Sequence, residues 1–121
     1  MRTRDNRQRF LIESCDVRGQ ICHLDDTWRE ATARVDYPPL VQGLLGETFV
    51  AALLLAGTIK FDGRMTLQVR GEGAIRLLVV QVSESGSVRG LARWGELPAE
   101  PAAFAALFGD DARMIITIEA R

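Results

Sequence analysis

The sequence predicts one α+β domain over residues 1–121, in which antiparallel β-sheets enclose a long buried helix. Its length is enough for one hydrophobic core. Three stretches carry this prediction. Residues 37–63 hold a long apolar segment with helical starting signals, residues 65–94 hold three strand-like runs separated by short turns, and residues 114–118 form a strongly β-prone run.

The start of the chain predicts two strands, or one bent strand, and then a short helix. Residues 9–13 and 17–24 are rich in apolar and β-branched side chains. Asp25, Asp26 and Thr27 are suitable N-caps for a helix over about 28–35, and Glu30 stands three residues after Thr27, as in a capping box.

The central segment predicts a helix of about six turns. Pro38 and Pro39 can occupy a first helical turn, and Tyr37 marks the boundary because a residue before proline avoids the helical region. No clean polar stripe runs along residues 40–59, so we expect this helix to be buried on every side. Its uncharged run, residues 48–59, is shorter than the roughly 20 residues that a bilayer requires, which argues against a membrane span.

Four residues of this segment carry specific expectations. Gly43, Gly46 and Gly57 should allow other backbone to approach closely. Glu47 is the one acidic residue of the helix, so we expect a buried carboxylate that needs a partner.

The second half of the chain predicts a meander, a short helix and a last strand. Residues 65–70, 75–82 and 88–94 should form three antiparallel strands, because the turns between them are short. Pro101 can start a helix that runs through Leu107 and ends at Gly109. The apolar strand over 114–118 then offers an edge that must be covered by this chain or by another.

Composition limits the classes of function and of compartment. The formal net charge of −1 gives no overall field for nucleic acid or for an anionic membrane. Residues 1–9 are polar and no apolar run follows them, so we expect no signal peptide. Two cysteines are too few for a disulfide framework. A cytoplasmic, reducing location is therefore expected.

Candidate chemistry is sparse, and we expect no catalytic residue, no cofactor and no metal. The single histidine, His23, follows Cys22, and neighbouring strand residues point to opposite faces, so they do not make a catalytic pair. Buried or idle thiols are favoured over a metal site of Cys15, Cys22 and His23. Two alternatives stay open: a thiol enzyme using Cys22 or Cys15, and a nucleic-acid-binding module.

The nucleic-acid alternative depends on the first residues of the chain. A basic arm there holds Arg2, Arg4, Arg7 and Arg9. Such an arm would bind phosphates with an affinity that falls steeply with salt. A solvated terminus is the favoured interpretation.

Several segments read together are more specific. They are residues 9–31 (RFLIESCDVRGQICHLDDTWREA), 36–48 (DYPPLVQGLLGET), 59–82 (IKFDGRMTLQVRGEGAIRLLVVQV), 88–94 (VRGLARW) and 114–120 (MIITIEA). In this order and spacing they closely resemble the first part of the heat shock protein 33 family, which comprises redox-regulated, ATP-independent holdase chaperones of the bacterial cytosol. The resemblance covers nearly the whole chain from Arg9 onward.

The resemblance implies a fold with a helix between β-sheets, and a function in binding unfolded client proteins. It also implies a difference. Family members are over twice as long, and their zinc site uses a C-x-C and a C-x-x-C pair, which Cys15 and Cys22 do not match. Zinc binding and the oxidation switch are therefore not carried over, and this chain is expected to be an incomplete domain, either a fragment or a truncated relative.

The uncovered last strand predicts self-association. An exposed apolar edge invites pairing with another chain, and exchange of a terminal element is an easy route to a dimer. We expect a homodimer with Met114, Ile116 and Ile118 near the contact. The alternative is a monomer in which this strand pairs within its own sheet.

Overall fold

A computed structural model describes residues 5–100 and 102–120. It contains six strands, three α-helices and one 3₁₀ turn. In chain order they are β1 (Asn6–Ile12), the 3₁₀ turn (Glu13–Cys15), β2 (Val17–His23), α1 (Asp26–Ala33), α2 (Pro39–Ala56), β3 (Gly63–Arg70), β4 (Ile75–Ser83), β5 (Val88–Trp94), α3 (Phe104–Phe108) and β6 (Arg113–Ala120). The predicted α+β class is confirmed, with the long helix packed against the sheets.

Two antiparallel sheets make up the β structure. The larger has the order β5-β4-β3-β6, so both the meander and the pairing of the last strand within its own sheet are present. Met65, Leu67 and Val69 of β3 are buried, as their alternation predicts, and β4, whose sequence is apolar on both sides, buries Leu78, Val80 and Val82 on the same face of the sheet. The smaller sheet is the hairpin of β1 and β2, which turns at Asp16 with a positive φ of 51°.

Helix α2 begins at Pro39, as predicted, and is 18 residues long, about 27 Å at 1.5 Å per residue. It ends one turn earlier than expected. Beyond Ala56 the chain tightens, because the amides of Thr58 and Ile59 donate to the carbonyls of Leu55 and Ala56, three residues back.

Burial of α2 is one-sided, so the expectation of a helix buried on every side is wrong for the described residues. Its buried residues are Val41, Leu45, Phe49, Ala52, Leu53 and Ala56. The opposite side carries Gln42, Gly43, Glu47 and Ala51, which are exposed. The sheet covers only one face of the helix, and an apolar pattern on all sides does not reveal which side a neighbour will cover.

Two expectations for single helix residues fail for this reason. Glu47 is exposed and is no buried carboxylate. Gly43 has no atom near the position of an added Cβ, so no other backbone approaches it. The neighbours of the other two glycines are side chains and not backbone, because a Cβ on Gly46 would make ordinary contact with the Trp28 ring at 3.4 Å and one on Gly57 would overlap the Gln20 side chain.

Helix α2 also meets the length and composition of a membrane-crossing helix, with about a third of it buried. The argument from the shorter run of residues 48–59 is therefore wrong, because counting from Pro39 gives 18 residues with a single charge at Glu47. This is weak evidence for a membrane, since the core helix of a folded domain passes the same test.

Helix α1 is capped from a distant part of the chain. The carboxylate of Asp5 accepts the backbone N–H of Asp25 (2.6 Å) and of Thr27 (3.1 Å), and also the Thr27 hydroxyl. Asp25, the residue before the helix, makes no side-chain capping bond to it, and Thr27 contributes by donating its own hydroxyl and amide to Asp5. The carboxylate of Asp25 instead pairs with Arg29 Nε at 2.8 Å.

Helix α3 is shorter than predicted and starts at Phe104; the predicted start, Pro101, lies outside the described residues. Gly109 ends it, as expected, with a positive φ of 92°. The turn between β3 and β4 lies directly against it, because the Gly73 N–H donates to the Phe108 carbonyl at 3.1 Å. A Cβ on Gly71 would overlap that carbonyl, so glycine is required for this approach.

Candidate functional site

The residues proposed for chemistry do not come together. Cys15 is exposed in the 3₁₀ turn at the tip of the hairpin, whereas Cys22 lies at the other end, opposite Arg7. Both thiols are free. His23 is exposed and pairs across the hairpin with Asn6. Among the described residues no group of three His, Cys, Asp or Glu side chains could hold a metal ion.

Cys22 is half-buried, and this burial raises the pKa of its thiol; nearby Arg7 opposes the rise and Asp5 adds to it. A nucleophilic cysteine requires the opposite shift, because the thiolate is the reactive form. The environment of Cys22 therefore argues against the thiol-enzyme alternative.

In the described part of the basic arm, Arg7 forms a hydrogen bond within the fold. Arg7 Nη1 donates to the Leu53 carbonyl at 3.3 Å, near the C-terminal end of α2, where the helix dipole favours a cation. A recess of about 310 Å³ beside it is lined by Arg7, Arg9 and Lys60, but also by Asp62 and Glu84. Arg2 and Arg4 lie outside the described residues. No observation here favours a nucleic-acid interface.

The described residues expose three apolar surfaces, and the first of them lies on the hairpin of β1 and β2. Residues opposite each other across an antiparallel pair share a face. One face of the hairpin holds Arg7, Gln20 and Cys22 and packs on α2, since Gln20 Nε2 donates to the Leu54 carbonyl at 3.1 Å. The other face, which we call the hairpin face, consists of Phe10, Ile12, Val17 and Ile21.

The side chains of the hairpin face are open to solvent. Their exposed fractions lie between 43% for Phe10 and 58% for Ile21. The Phe10 ring covers Gly19 on the opposite strand, so that a Cβ there would overlap it. No residue of β1 is buried. Such a contiguous apolar patch is the kind of surface that binds other polypeptides.

A second apolar surface lies on the uncovered side of α2. This helix groove has a volume of about 750 Å³, and its lining includes Trp28, Gly46, Val50, Ala51 and Leu54. Trp28 of α1 forms one wall and also packs edge-to-face on Phe49, with ring centroids 5.5 Å apart. The groove is therefore attached to a rigid part of the core.

The third surface is the edge strip, formed by Met114, Ile116 and Ile118 of β6. These residues stand opposite Val69, Leu67 and Met65 of β3, and so share the helix-side face of the sheet with them. The β3 residues are buried, whereas the edge strip is 41–66% exposed because no described element covers β6. The predicted contact residues are thus accessible for an interaction.

Sequence analysis found the edge strip but missed the hairpin face and the helix groove. The sequence does indicate an exposed hairpin face, because β1 and β2 carry apolar residues and no neighbouring segment is predicted to pack on them. The groove was missed because Gln42 and Glu47 mark the uncovered side only in the first half of α2, whereas the second half is apolar on all sides.

Comparison with known proteins gives a consistent result. A family model described as Hsp33 protein matches residues 5–121. The 33 kDa chaperonin of Chromobacterium violaceum is 38% identical over 122 aligned residues, which cover 100% of this chain and 41% of that protein. The proteins of the same name from Nitrosococcus oceani and Photobacterium profundum are 46% and 43% identical, each over 81% of this chain and 34% of their own length.

Proposed function

This chain belongs to the Hsp33 family, and from that membership we propose that it is an ATP-independent holdase domain that binds unfolded proteins. The relatives named 33 kDa chaperonin support a chaperone function for the family. The chain spans only about 34–41% of the length of these relatives, so activity of this part by itself belongs to the proposal.

The observation that carries the proposal is the hairpin face. Four apolar side chains are displayed on one side of a two-stranded sheet, and the other side is fixed to the core through Gln20 and Arg7. A holdase needs apolar surface that stays exposed while the protein remains folded. Burial of apolar area drives binding of an unfolded segment with no requirement for nucleotide.

We further propose that this chain is not an enzyme, that it works in the cytoplasm away from membranes, and that it holds no zinc. The zinc ligands of the family are two cysteine pairs that are not found in this sequence.

The experiment is an aggregation assay with a thermally unfolding client, followed by light scattering with and without peroxide. The matched variants are Ile21→Ser on the hairpin face and Ser85→Ala in the exposed turn between β4 and β5. We expect suppression by the parent chain and by Ser85→Ala, and clear loss with Ile21→Ser. No suppression by the folded parent at several-fold molar excess would overturn the proposal.

We also propose that the partners include a second copy, with Met114, Ile116 and Ile118 near the contact. The exposure of the edge strip supports this, although β6 pairs with β3 within its own sheet. Light scattering during size-exclusion chromatography tests it. A mass near 13.4 kDa across a wide concentration range would show that the chain is a monomer.

A further inference from the structure

The two faces of the four-stranded sheet differ in charge as well as in burial. Side chains on a strand alternate between the faces, so every paired position that does not face α2 belongs to what we call the outer face. The paired residues of the helix-side face carry no charge. The outer face carries five arginines and one acidic residue: Arg64, Arg70, Arg89, Arg93, Arg113 and Glu119.

This excess of positive charge is local. The chain as a whole holds 15 basic and 16 acidic residues, which gives a formal net charge of −1. The surface away from the outer face therefore carries an excess of negative charge. Such a separation produces a positive field at one face, which a net charge near zero conceals.

The strand register places three of the arginines in a row across the sheet. Arg93 of β5, Leu77 of β4 and Arg70 of β3 stand side by side. Neighbouring strands are about 4.8 Å apart, so the two arginines flank Leu77 at a separation of about 10 Å. Arg113 of β6 stands directly opposite Arg70 on its other side. We call Arg93, Arg70 and Arg113 the arginine row.

A largely apolar row runs beside the arginine row. The positions two residues away along the strands hold Leu91, Val79, Gln68 and Ile115. Two residues of a strand span about 6.6 Å, so one bound segment can reach both rows. Leu91 is 40% exposed and Ile115 is 44% exposed. The outer face therefore fits a ligand that has apolar side chains in its centre and negative groups along one side.

The arginine row has no counter-charge among the described residues. The acidic residue of the outer face, Glu119, already pairs with Arg64 at 3.0 Å. No described acidic side chain forms an ion pair with a member of the arginine row. Like charges that stand side by side on a sheet are unfavourable, so an anionic partner would stabilise this arrangement.

The other side chains of the outer face distinguish between kinds of anion. Proteins bind single-stranded nucleic acid on a sheet by stacking the bases on aromatic side chains. None of the paired residues of the outer face is aromatic. Carboxylates bind arginine in a bidentate geometry, and an aliphatic row offers apolar side chains a surface to pack on. These features favour a polypeptide over a nucleic acid.

We propose that the outer face binds an acidic, partly apolar segment of an unfolded protein, with its carboxylates on the arginine row and its apolar side chains on Leu91 and Val79. The inference concerns a surface separate from the hairpin face. It rests on the holdase function proposed above in that it names a class of client. Most of the pattern belongs to residues 64–93, so it does not require a free edge on β6.

The first test compares two fluorescently labelled peptides of equal length. One carries glutamates among leucines, and the other carries glutamine at the same positions. Anisotropy titrations should show that the acidic peptide binds about tenfold more tightly, because each carboxylate gains a charge-assisted hydrogen bond. Added salt should reduce this difference, since the contacts lie at the surface.

The second test removes charge from the arginine row. Arg70→Gln with Arg93→Gln should weaken binding of the acidic peptide roughly tenfold, because two exposed charge pairs are lost, and should leave the glutamine peptide unchanged. Arg18→Gln with Arg34→Gln removes the same charge from exposed positions in the hairpin and after α1. This control should bind as the parent does, and circular dichroism verifies that each variant folds.

Several results would overturn the proposal. Equal binding of the two peptides excludes a charge preference, and equal weakening by the control variant shows an unspecific effect of net charge. An oligothymidylate that binds through Arg70 and Arg93 in preference to the acidic peptide assigns the outer face to nucleic acid. Loss of self-association in the Arg70→Gln, Arg93→Gln variant assigns it to a second copy.

The aggregation assay separates this proposal from the holdase function. If the Arg70→Gln, Arg93→Gln variant suppresses aggregation of an acidic client as well as the parent does, the charge preference is wrong and the holdase function stands. If the parent binds the acidic peptide through the arginine row but suppresses no aggregation, the outer face is supported and the holdase function is wrong.

Discussion

The two β-sheets of this protein are built from similar residues and have opposite surroundings. Both are antiparallel and rich in apolar side chains. In the four-stranded sheet the helix-side residues of β3 and β4 are buried, whereas in the hairpin no residue of β1 is buried. The difference is α2, which packs against β4 and β5 of the larger sheet and meets the hairpin near its own C-terminal end.

This difference separates two roles of apolar residues. Under α2 they stabilise the fold, because their surface is removed from water. In the hairpin face they remain in water and contribute little to stability, which leaves them available for another polypeptide. Variants that compare the two regions should therefore separate folding from client binding, and the predictions below run from the largest expected effect to the smallest.

The sharpest comparison uses one phenylalanine from each region. Phe49 is fully buried in α2 and packs on Trp28, whereas Phe10 is 43% exposed on the hairpin face. Phe49→Ala should lower the free energy of unfolding by about 3–5 kcal/mol, and Phe10→Ala by less than about 1 kcal/mol. Urea unfolding followed by circular dichroism measures both. Equal losses would mean that the hairpin is as enclosed as the core.

Neighbouring leucines test the one-sided burial of α2. Leu53 is buried, and Leu54 lines the helix groove. Leu53→Ala should lower the free energy of unfolding by about 2–5 kcal/mol. A helix enclosed on every side would give the same range for Leu54→Ala, whereas with the groove open we expect about 1 kcal/mol. Thermal unfolding compares the two, and a Leu54 effect as large as that of Leu53 would show that the groove is covered in solution.

The bond from Asp5 connects the start of the hairpin to the first turn of α1. Asp5→Ala removes the acceptor of the Asp25 and Thr27 amides and should lower the free energy of unfolding by about 1 kcal/mol. Hydrogen exchange of the first turn of α1 should accelerate. The exposed residue Asp36 provides a control, Asp36→Ala. An unchanged exchange rate at Thr27 would show that the cap does not form in solution.

Substitutions at two glycines compare the open side of α2 with its covered side. Gly43 is exposed within α2 with free space around it, so Gly43→Ala should raise the free energy of unfolding by about 0.5–1 kcal/mol. Gly90 of β5 lies under Phe49, where a Cβ would stand 2.6 Å from the ring, so Gly90→Ala should destabilise. Destabilisation by Gly43→Ala under urea would contradict an open face.

The reaction rates of Cys15 and Cys22 compare the tip of the hairpin with its base. Burial raises the pKa of Cys22, so less of it is thiolate near neutral pH, and it should react more slowly than the exposed Cys15. Rates with a chromogenic disulfide reagent on Cys15→Ser and Cys22→Ser variants measure this. The Cys22 rate should continue to rise at alkaline pH above the ordinary titration range of a cysteine. Faster reaction at Cys22 would return the thiol-enzyme alternative to consideration.

The local pattern of the sequence was sufficient for most elements. Alternation of apolar residues in 65–70 determined a strand and its buried face, because side chains on a strand alternate between two sides, whereas 75–82 is apolar on both sides and indicated a strand but not its buried face. Pro39 determined where α2 begins and Gly109 where α3 ends, through backbone preferences that belong to those residues alone. The edge strip was likewise accessible from sequence, since Met114, Ile116 and Ile118 belong to a last apolar strand.

Tertiary structure decided which of these surfaces are covered. The exposure of Glu47, the open space at Gly43 and the groove beside Leu54 depend on which side of α2 the sheet approaches, and the apolar second half of the helix carries no signal for that choice. The cap by Asp5 and the anchoring of Gln20 on the Leu54 carbonyl join residues 20 to 34 positions apart. Such contacts form only when packing brings the elements together, so the sequence determined the strands and helices, and their packing determined what remains exposed to bind.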